Sequence, residues 1–176
     1  MADPEPNLTE LFQSHRNGLS GAVRSVLGPT ADVAELLQDA FLKCWRSWQV
    51  GTRPTDPVAW IFVVVWNAAI DARRVRQRRP VHETLDEASP VAPRLLSSPS
   101  RALEQREDLA RAQAAVADLS EPEQQVFLMR VAGELTFEAV AAALAIPVGT
   151  AKTRMRTALQ KLRQVLGAAV RKEELS

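Results

Sequence analysis

Apolar side chains recur every three or four positions along almost the whole chain, and no stretch alternates as a strand does. That spacing lines one face of a helix with groups that must be covered, so it calls for helices packed on helices. Leu8, Leu11, Phe12, His15, Leu19, Val23 and Val26 predict one first amphipathic helix, stopped by Gly28-Pro29. Asp32 with Glu35 three residues on resembles a capping box. Behind it Val33, Leu36, Leu37, Ala40, Phe41, Cys44, Trp45 and Trp48 form a single stripe, and on that ground Trp45 and Trp48 are read as core. Asp56-Pro57 gives a cap followed by proline at the first helical position. The helix it starts runs toward Arg79 and ends in the basic stretch Arg73, Arg74, Arg76, Arg78 and Arg79.

The pattern breaks between Pro80 and Ser100, where four prolines and four serines interrupt it. This reads as a flexible linker. Beyond it, 102–119 is an alanine-rich helix, and Ser120-Glu-Pro-Glu123 starts another through Val131. Gly133 and Glu134 turn the chain, and Thr136 caps a short helix to Leu144. Ala145-Ile-Pro147 breaks it, and a longer helix runs from about Val148 to Val170. The expected architecture is all-α: two small helical domains, 1–79 and 102–172, joined by a flexible linker at 80–101, with a helix-turn-helix in the second.

Composition excludes several classes. One cysteine, Cys44, cannot make an internal disulfide framework, and two isolated histidines, His15 and His82, lack metal-ligand spacing. No Ser/His/Asp set, phosphate loop or metal cluster appears, so neither enzyme activity nor a cofactor is expected. The run Val58 to Ile70 is too short to span a bilayer, and Asn67 interrupts it. The N-terminus carries no basic-then-apolar signal, so a cytoplasmic protein without membrane insertion is expected.

With 22 basic and 21 acidic residues the net charge is only +1, yet the charges are segregated. From Val148 to Lys172 there is no acidic residue, while Lys152, Arg154, Arg156, Lys161, Arg163, Arg171 and Lys172 are all present. A short helix, a tight turn and a longer helix of one charge sign have the form of a helix-turn-helix with a recognition helix. Guanidinium groups can grip guanine bidentately, and both cations neutralise phosphate. The second basic segment, Arg73 to Arg79, ends a helix carrying Trp60 and Trp66, and aromatics beside arginines can stack on unpaired bases.

At these residues the chain resembles the extracytoplasmic-function (ECF) group of the sigma-70 family of bacterial RNA polymerase sigma factors. Asp32 through Trp45 is similar to that family's polymerase-binding segment. Trp60 through Arg74 is similar to its segment for promoter melting and minus-10 recognition. Leu119 through Arg130 and Leu135 through Leu166, including Ile146-Pro-Val-Gly-Thr150, are similar to its minus-35 domain. The resemblance covers both domains in order and implies a region 2-like domain at 1–79 and a region 4-like domain at 102–172.

It implies that Asp32, Glu35, Leu36, Gln38, Asp39, Phe41 and Trp45 dock, or support docking, on core polymerase. Trp60, Asn67, Arg73, Arg74 and Arg76 would serve the minus-10 element, with the loop Val50 to Asp56 and Asn67 capturing a flipped base. Thr150, Lys152, Thr153, Arg154, Arg156 and Thr157 would face the minus-35 major groove. It further implies nucleoid association within the holoenzyme and control by an anti-sigma factor. Several positions depart from the pattern. Val63 and Trp66 stand where arginine is frequent, Thr157 replaces a common arginine, Ala145 the usual turn glycine, and Ala139 a frequent glutamate. These departures point to an unusual promoter preference or to a partner patch around Trp66. Ile61, Val65 and Trp66 would form that patch if exposed, and burial of all three would count against it. The rival readings are a stand-alone helix-turn-helix regulator, which leaves the first domain without a purpose, and a helical protein-interaction module.

Overall fold

The computed structural model describes residues 7–29, 31–78 and 109–173, with side chains to 166. The expected linker at 80–101, Arg79 and the start of the alanine-rich helix lie outside them. Among the described residues every regular element is a helix. In the first unit these are α1 (Leu8–Ser14), α2 (Arg16–Leu27), α3 (Val33–Gln49) and α4 (Pro57–Arg78). In the second they are α5 (described over 109–117), α6 (Glu121–Val131), α7 (Phe137–Leu144) and α8 (Val148–Glu173).

Local chemistry sets the boundaries. Asn7 caps α1 by accepting from Thr9 N at 3.0 Å, Asp32 caps α3 by accepting from Glu35 N at 3.0 Å, and Asp56 accepts from Ala59 N at 2.9 Å. Each satisfies an amide that the first turn leaves without an intrahelical partner. The single first helix expected from Leu8 to Val26 is instead two, because His15 leaves the helical region (φ −100°, ψ 8°). Ser14, Asn17 and Gly18 around it are weak helix formers, and the His15 ring meets the edge of Phe62 at 6.3 Å.

The first unit buries Leu19 and Val23 of α2, Val33, Ala40 and Cys44 of α3, and Ile61, Phe62 and Val65 of α4. Burial pushes the Cys44 thiol up to about 12, so it is an inert core group. The second unit packs α6 and α7 on α8 through Val126, Leu128, Met129, Val140, Ala141, Ala151, Ala158 and Leu162. Glu123 joins these elements. Its carboxylate accepts from Ser120 N at 3.1 Å at the start of α6 and from Lys161 Nζ of α8 at 2.7 and 3.0 Å. The Lys161 ammonium holds the Glu123 carboxyl below the usual carboxylate range.

The two units do not stand apart. One apolar cluster joins Leu19, Val23, Phe62 and Val65 to Val126, Met129, Leu135 and Val140. A second joins Ala22, Val26, Trp66 and Ile70 to Val116, Leu119, Leu128 and Leu162. Ile61, Val65 and Trp66 are all buried, at 1%, 0% and 6% exposure, which overturns the exposed patch expected around Trp66. The apolar face is real, but the chain's own second unit covers it.

Between α7 and α8, Ala145 adopts the left-handed conformation (φ 51°, ψ 45°) that terminates α7, with its N–H bonded to Ala141 O and Ala142 O. An L side chain there costs about 1–2 kcal/mol that glycine avoids, less glycine's greater unfolded-state entropy. Ala145→Gly is therefore expected to stabilise the chain by about 0.5–1 kcal/mol. A thermal melt of the variant checks this; an unchanged or lower midpoint counts against it.

Candidate nucleic-acid interface

The second unit presents the stronger surface. On α8 the buried positions Ala151, Ala158 and Leu162, with half-buried Met155 between them, define one face at helical spacing. Lys152, Thr153 and Arg156 fall opposite and are exposed, while Thr150, Arg154 and Thr157 lie on the flanks and are half-buried. The turn at Ala145 to Pro147 sends this face outward at the very start of α8, where a recognition helix meets base edges. Thr136 holds the preceding helix by accepting from Ala139 N at 3.1 Å.

Two of the side chains there have partners within the chain. Thr157 Oγ1 donates to Thr153 O at 3.1 Å, which leaves its lone pairs for an incoming donor. The Phe137 ring lies under Arg130 at 4.5 Å and under Lys152 at 5.9 Å. Beside the reading face runs an open groove of about 750 Å³, floored by Phe137, Met155 and Leu159 and rimmed by Lys152, Arg156 and Arg163. Gln160 and Gln164 line it as well, and every charged group on it is basic, as a phosphate-facing surface requires.

In the first unit, Trp60 is half-buried and its ring leans on Trp48 at 6.3 Å. Arg53 covers the other ring at 4.7 Å and donates to Trp48 O at 2.8 Å and Thr52 O at 3.0 Å, ordering the loop before α4. Asn67 lies seven residues, about two turns, beyond Trp60 on α4 and is exposed. Of the basic cluster, Arg76 Nη1 donates to Leu27 O at 3.1 Å. Arg73 and Arg74 both pair with Glu121 of the second unit, Arg74 at 3.6 Å. Sequence reasoning missed that engagement, because a contact 48 residues distant leaves no periodic trace.

A third surface lies on α3. Asp32, Glu35, Gln38 and Asp39 are exposed in succession, with Leu36 and Phe41 half-buried beside them. Trp45, expected in the core, is instead 41% exposed. It stacks on Phe41 at 6.0 Å, and Phe41 in turn meets the edge of Phe12 at 5.1 Å. That aromatic row leaves the indole at the surface. Trp48, also expected in the core, is half-buried.

Among the described residues no helix is long and apolar enough to cross a membrane, and no cluster has the ligands for a metal ion.

Comparison with known proteins follows the same division. The family description Sigma-70 region 2 matches residues 11–79, and Sigma-70, region 4 matches residues 115–164. The chain is 29% identical over 161 residues to the ECF RNA polymerase sigma factor RpoE of Cereibacter sphaeroides, covering 91% of this chain and 86% of that one. It is 26% identical over 160 residues to the ECF RNA polymerase sigma factor SigK of Mycobacterium tuberculosis, covering 89% of this chain and 84% of the relative. Its fold is similar to that of the sigma factor RpoE of Bartonella quintana, solved with the anti-sigma factor NepR, at a TM-score of 0.67 and 19% identity over 90% of this chain and 96% of that one. It is also similar to that of CnrH, solved with the cytosolic domain of CnrY, at a TM-score of 0.65 and 24% identity over 92% and 88%. The two regions together account for most of the chain, in the expected order and on the two observed units: it belongs to the ECF group of the sigma-70 family of RNA polymerase sigma factors.

Proposed function

We propose that this chain is an alternative sigma factor whose three surfaces divide the work of initiation. The α3 row of Asp32, Glu35, Leu36, Gln38, Asp39, Phe41 and Trp45 docks on core RNA polymerase. Trp60, Asn67, Arg73, Arg74 and Arg76 of α4, with the loop before it, engage the minus-10 element. Thr150, Lys152, Thr153, Arg154, Arg156 and Thr157 of α8 read the minus-35 element. The observation that carries this reading is the outer face of α8: its charged groups are all basic, the left-handed turn at Ala145 holds it outward, and no acidic residue occurs from Val148 to Lys172.

Extruding a minus-10 base costs a few kcal/mol, which hydrogen bonds to its edge offset. Asn67 has both a donor and an acceptor to offer for this. The chain acts in the cytoplasm, on the nucleoid, when held in the holoenzyme. By analogy with the similar proteins solved with NepR and CnrY, an anti-sigma factor restrains it.

Run-off transcription with core polymerase over a promoter library tests the function. The expected result is defined start sites on promoters sharing two elements, weakening steeply as salt rises. Absence of binding to core polymerase, together with tight autonomous binding to an operator, overturns it.

A further inference from the structure

The loop between α3 and α4 is tied down more firmly than a connection of its length needs. It leaves α3 through Val50 and Gly51, and the φ of 93° at Gly51 lies in the left-handed region that suits glycine. Gly51 N–H donates to Trp48 O at 3.1 Å and Thr52 N–H to Ser47 O at 3.0 Å, the paired bonds of a Schellman end. Arg53 then folds back over this turn. Its Nη1 carries two hydrogens and donates to Trp48 O at 2.8 Å and to Thr52 O at 3.0 Å. The same guanidinium lies 4.7 Å from the centre of the Trp48 ring, and that ring meets Trp60 at 6.3 Å. Asp56 fixes the far end of the loop by capping α4.

We infer that Arg53 is a positioning residue, which holds the loop Val50 to Asp56 against Trp48 and Trp60 in the shape that receives the flipped minus-10 base. This rests on the minus-10 function proposed above and adds a residue that acts without touching DNA. A loop ordered only on binding loses conformational freedom at that moment, and affinity falls accordingly. A loop already ordered avoids that loss.

Trp48 O is among the last carbonyls of α3, which lack partners within the helix and sit at its negative end, where a cation is favoured. Thr52 O belongs to the loop itself. One planar side chain therefore joins the helix end, the loop and the ring that abuts Trp60. Both hydrogen bonds are exposed, and exposed contacts add little to global stability. Cys44, Phe62 and Val65 hold this unit together elsewhere. What Arg53 changes is local: which loop shapes are populated, and apparent affinity scales with the competent fraction. Lysine cannot replace it, because an ammonium lacks the planar fork that stacks on a ring while donating to carbonyls.

Holoenzyme assembled from core polymerase and the full chain is titrated with single-stranded oligonucleotides. These carry the non-template minus-10 strand of a promoter from which it starts, with each of the four bases in turn at the most selective position. Affinity is followed across a range of salt, and core binding and a thermal melt are recorded for each variant. Arg53→Ala is expected to bind the preferred oligonucleotide about tenfold more weakly and to show a flatter preference among bases. Its salt slope, core affinity and melting midpoint should match the wild type, and Arg53→Lys should behave as Arg53→Ala does. Wild-type affinity and preference in Arg53→Ala overturn the inference. Recovery by Arg53→Lys, or a salt slope lower by about one in Arg53→Ala, marks a direct phosphate contact and overturns it as well. A wild-type holoenzyme with no preference among the bases sinks the minus-10 function itself, whatever the variants do.

Discussion

Replacing Lys152 and Arg156 together by glutamate is expected to abolish promoter-directed run-off transcription while leaving the fold and the binding to core polymerase intact. Both side chains are exposed on the outer face of α8, a turn apart, and neither contributes to the row of Ala151, Ala158 and Leu162 that holds the helix in place. Among the described residues, the contact at stake is the approach of Lys152 to the Phe137 ring at 5.9 Å, worth no more than about 0.5–1 kcal/mol at an exposed site. Against that, each lost contact to a base edge or phosphate costs about 1–3 kcal/mol, and reversal adds repulsion from the DNA. The pair should weaken promoter binding by roughly 100-fold or more. Alanine at the same positions should give a smaller loss and a shallower salt dependence, because contacts are removed without repulsion. Unchanged promoter-specific transcription from the glutamate pair would exclude α8 as the reading helix.

Trp45→Ala is expected to lower affinity for core polymerase by at least about 2 kcal/mol, roughly 30-fold, with little change in thermal stability. A tryptophan 41% exposed and stacked on Phe41 has the character of an interface anchor, large, rigid and apolar. Because the indole is 41% exposed, truncating it leaves no enclosed cavity. Asp39→Lys should act in the same direction, more strongly at low salt, if the partner surface is basic. Competition binding against unmodified factor, with circular dichroism on each variant, provides the measurement. Wild-type affinity in both variants would move the docking surface off α3. Trp66→Ala makes an instructive contrast, since its indole is buried at the seam and its loss should cost stability instead.

Much of this molecule is legible in its sequence. Helical spacing, the caps at Asp32, Asp56 and Thr136, and the breaks at Gly28-Pro29 and Ala145-Ile-Pro147 place most boundaries, because these are local effects set by neighbours within a few residues. The one-signed charge of α8 was equally readable, since the apolar face of a helix dictates which side chains point outward. The break at His15 was not: the apolar spacing runs straight across it, and the chain departs from helix for a single residue. The pairing of Arg73 and Arg74 with Glu121 was beyond reach for another reason, for it joins charges that only folding brings together.

Trp45 and Trp66 show where the line falls. Trp45 lies on an apolar stripe, which assigns it to a face that needs covering, whereas Trp66 lies in the apolar run of α4 and was expected to mark a partner patch if exposed. One stands exposed on α3 and the other is buried against a different unit. The sequence by itself determined an all-helical chain, the cap and turn positions, the basic outer face of α8 and a resemblance to sigma factors. Only the tertiary structure decided which apolar face meets the second unit and which is left for a partner. Hydrophobic burial is non-directional: a pattern states that a face must be covered, and long-range packing alone selects what covers it.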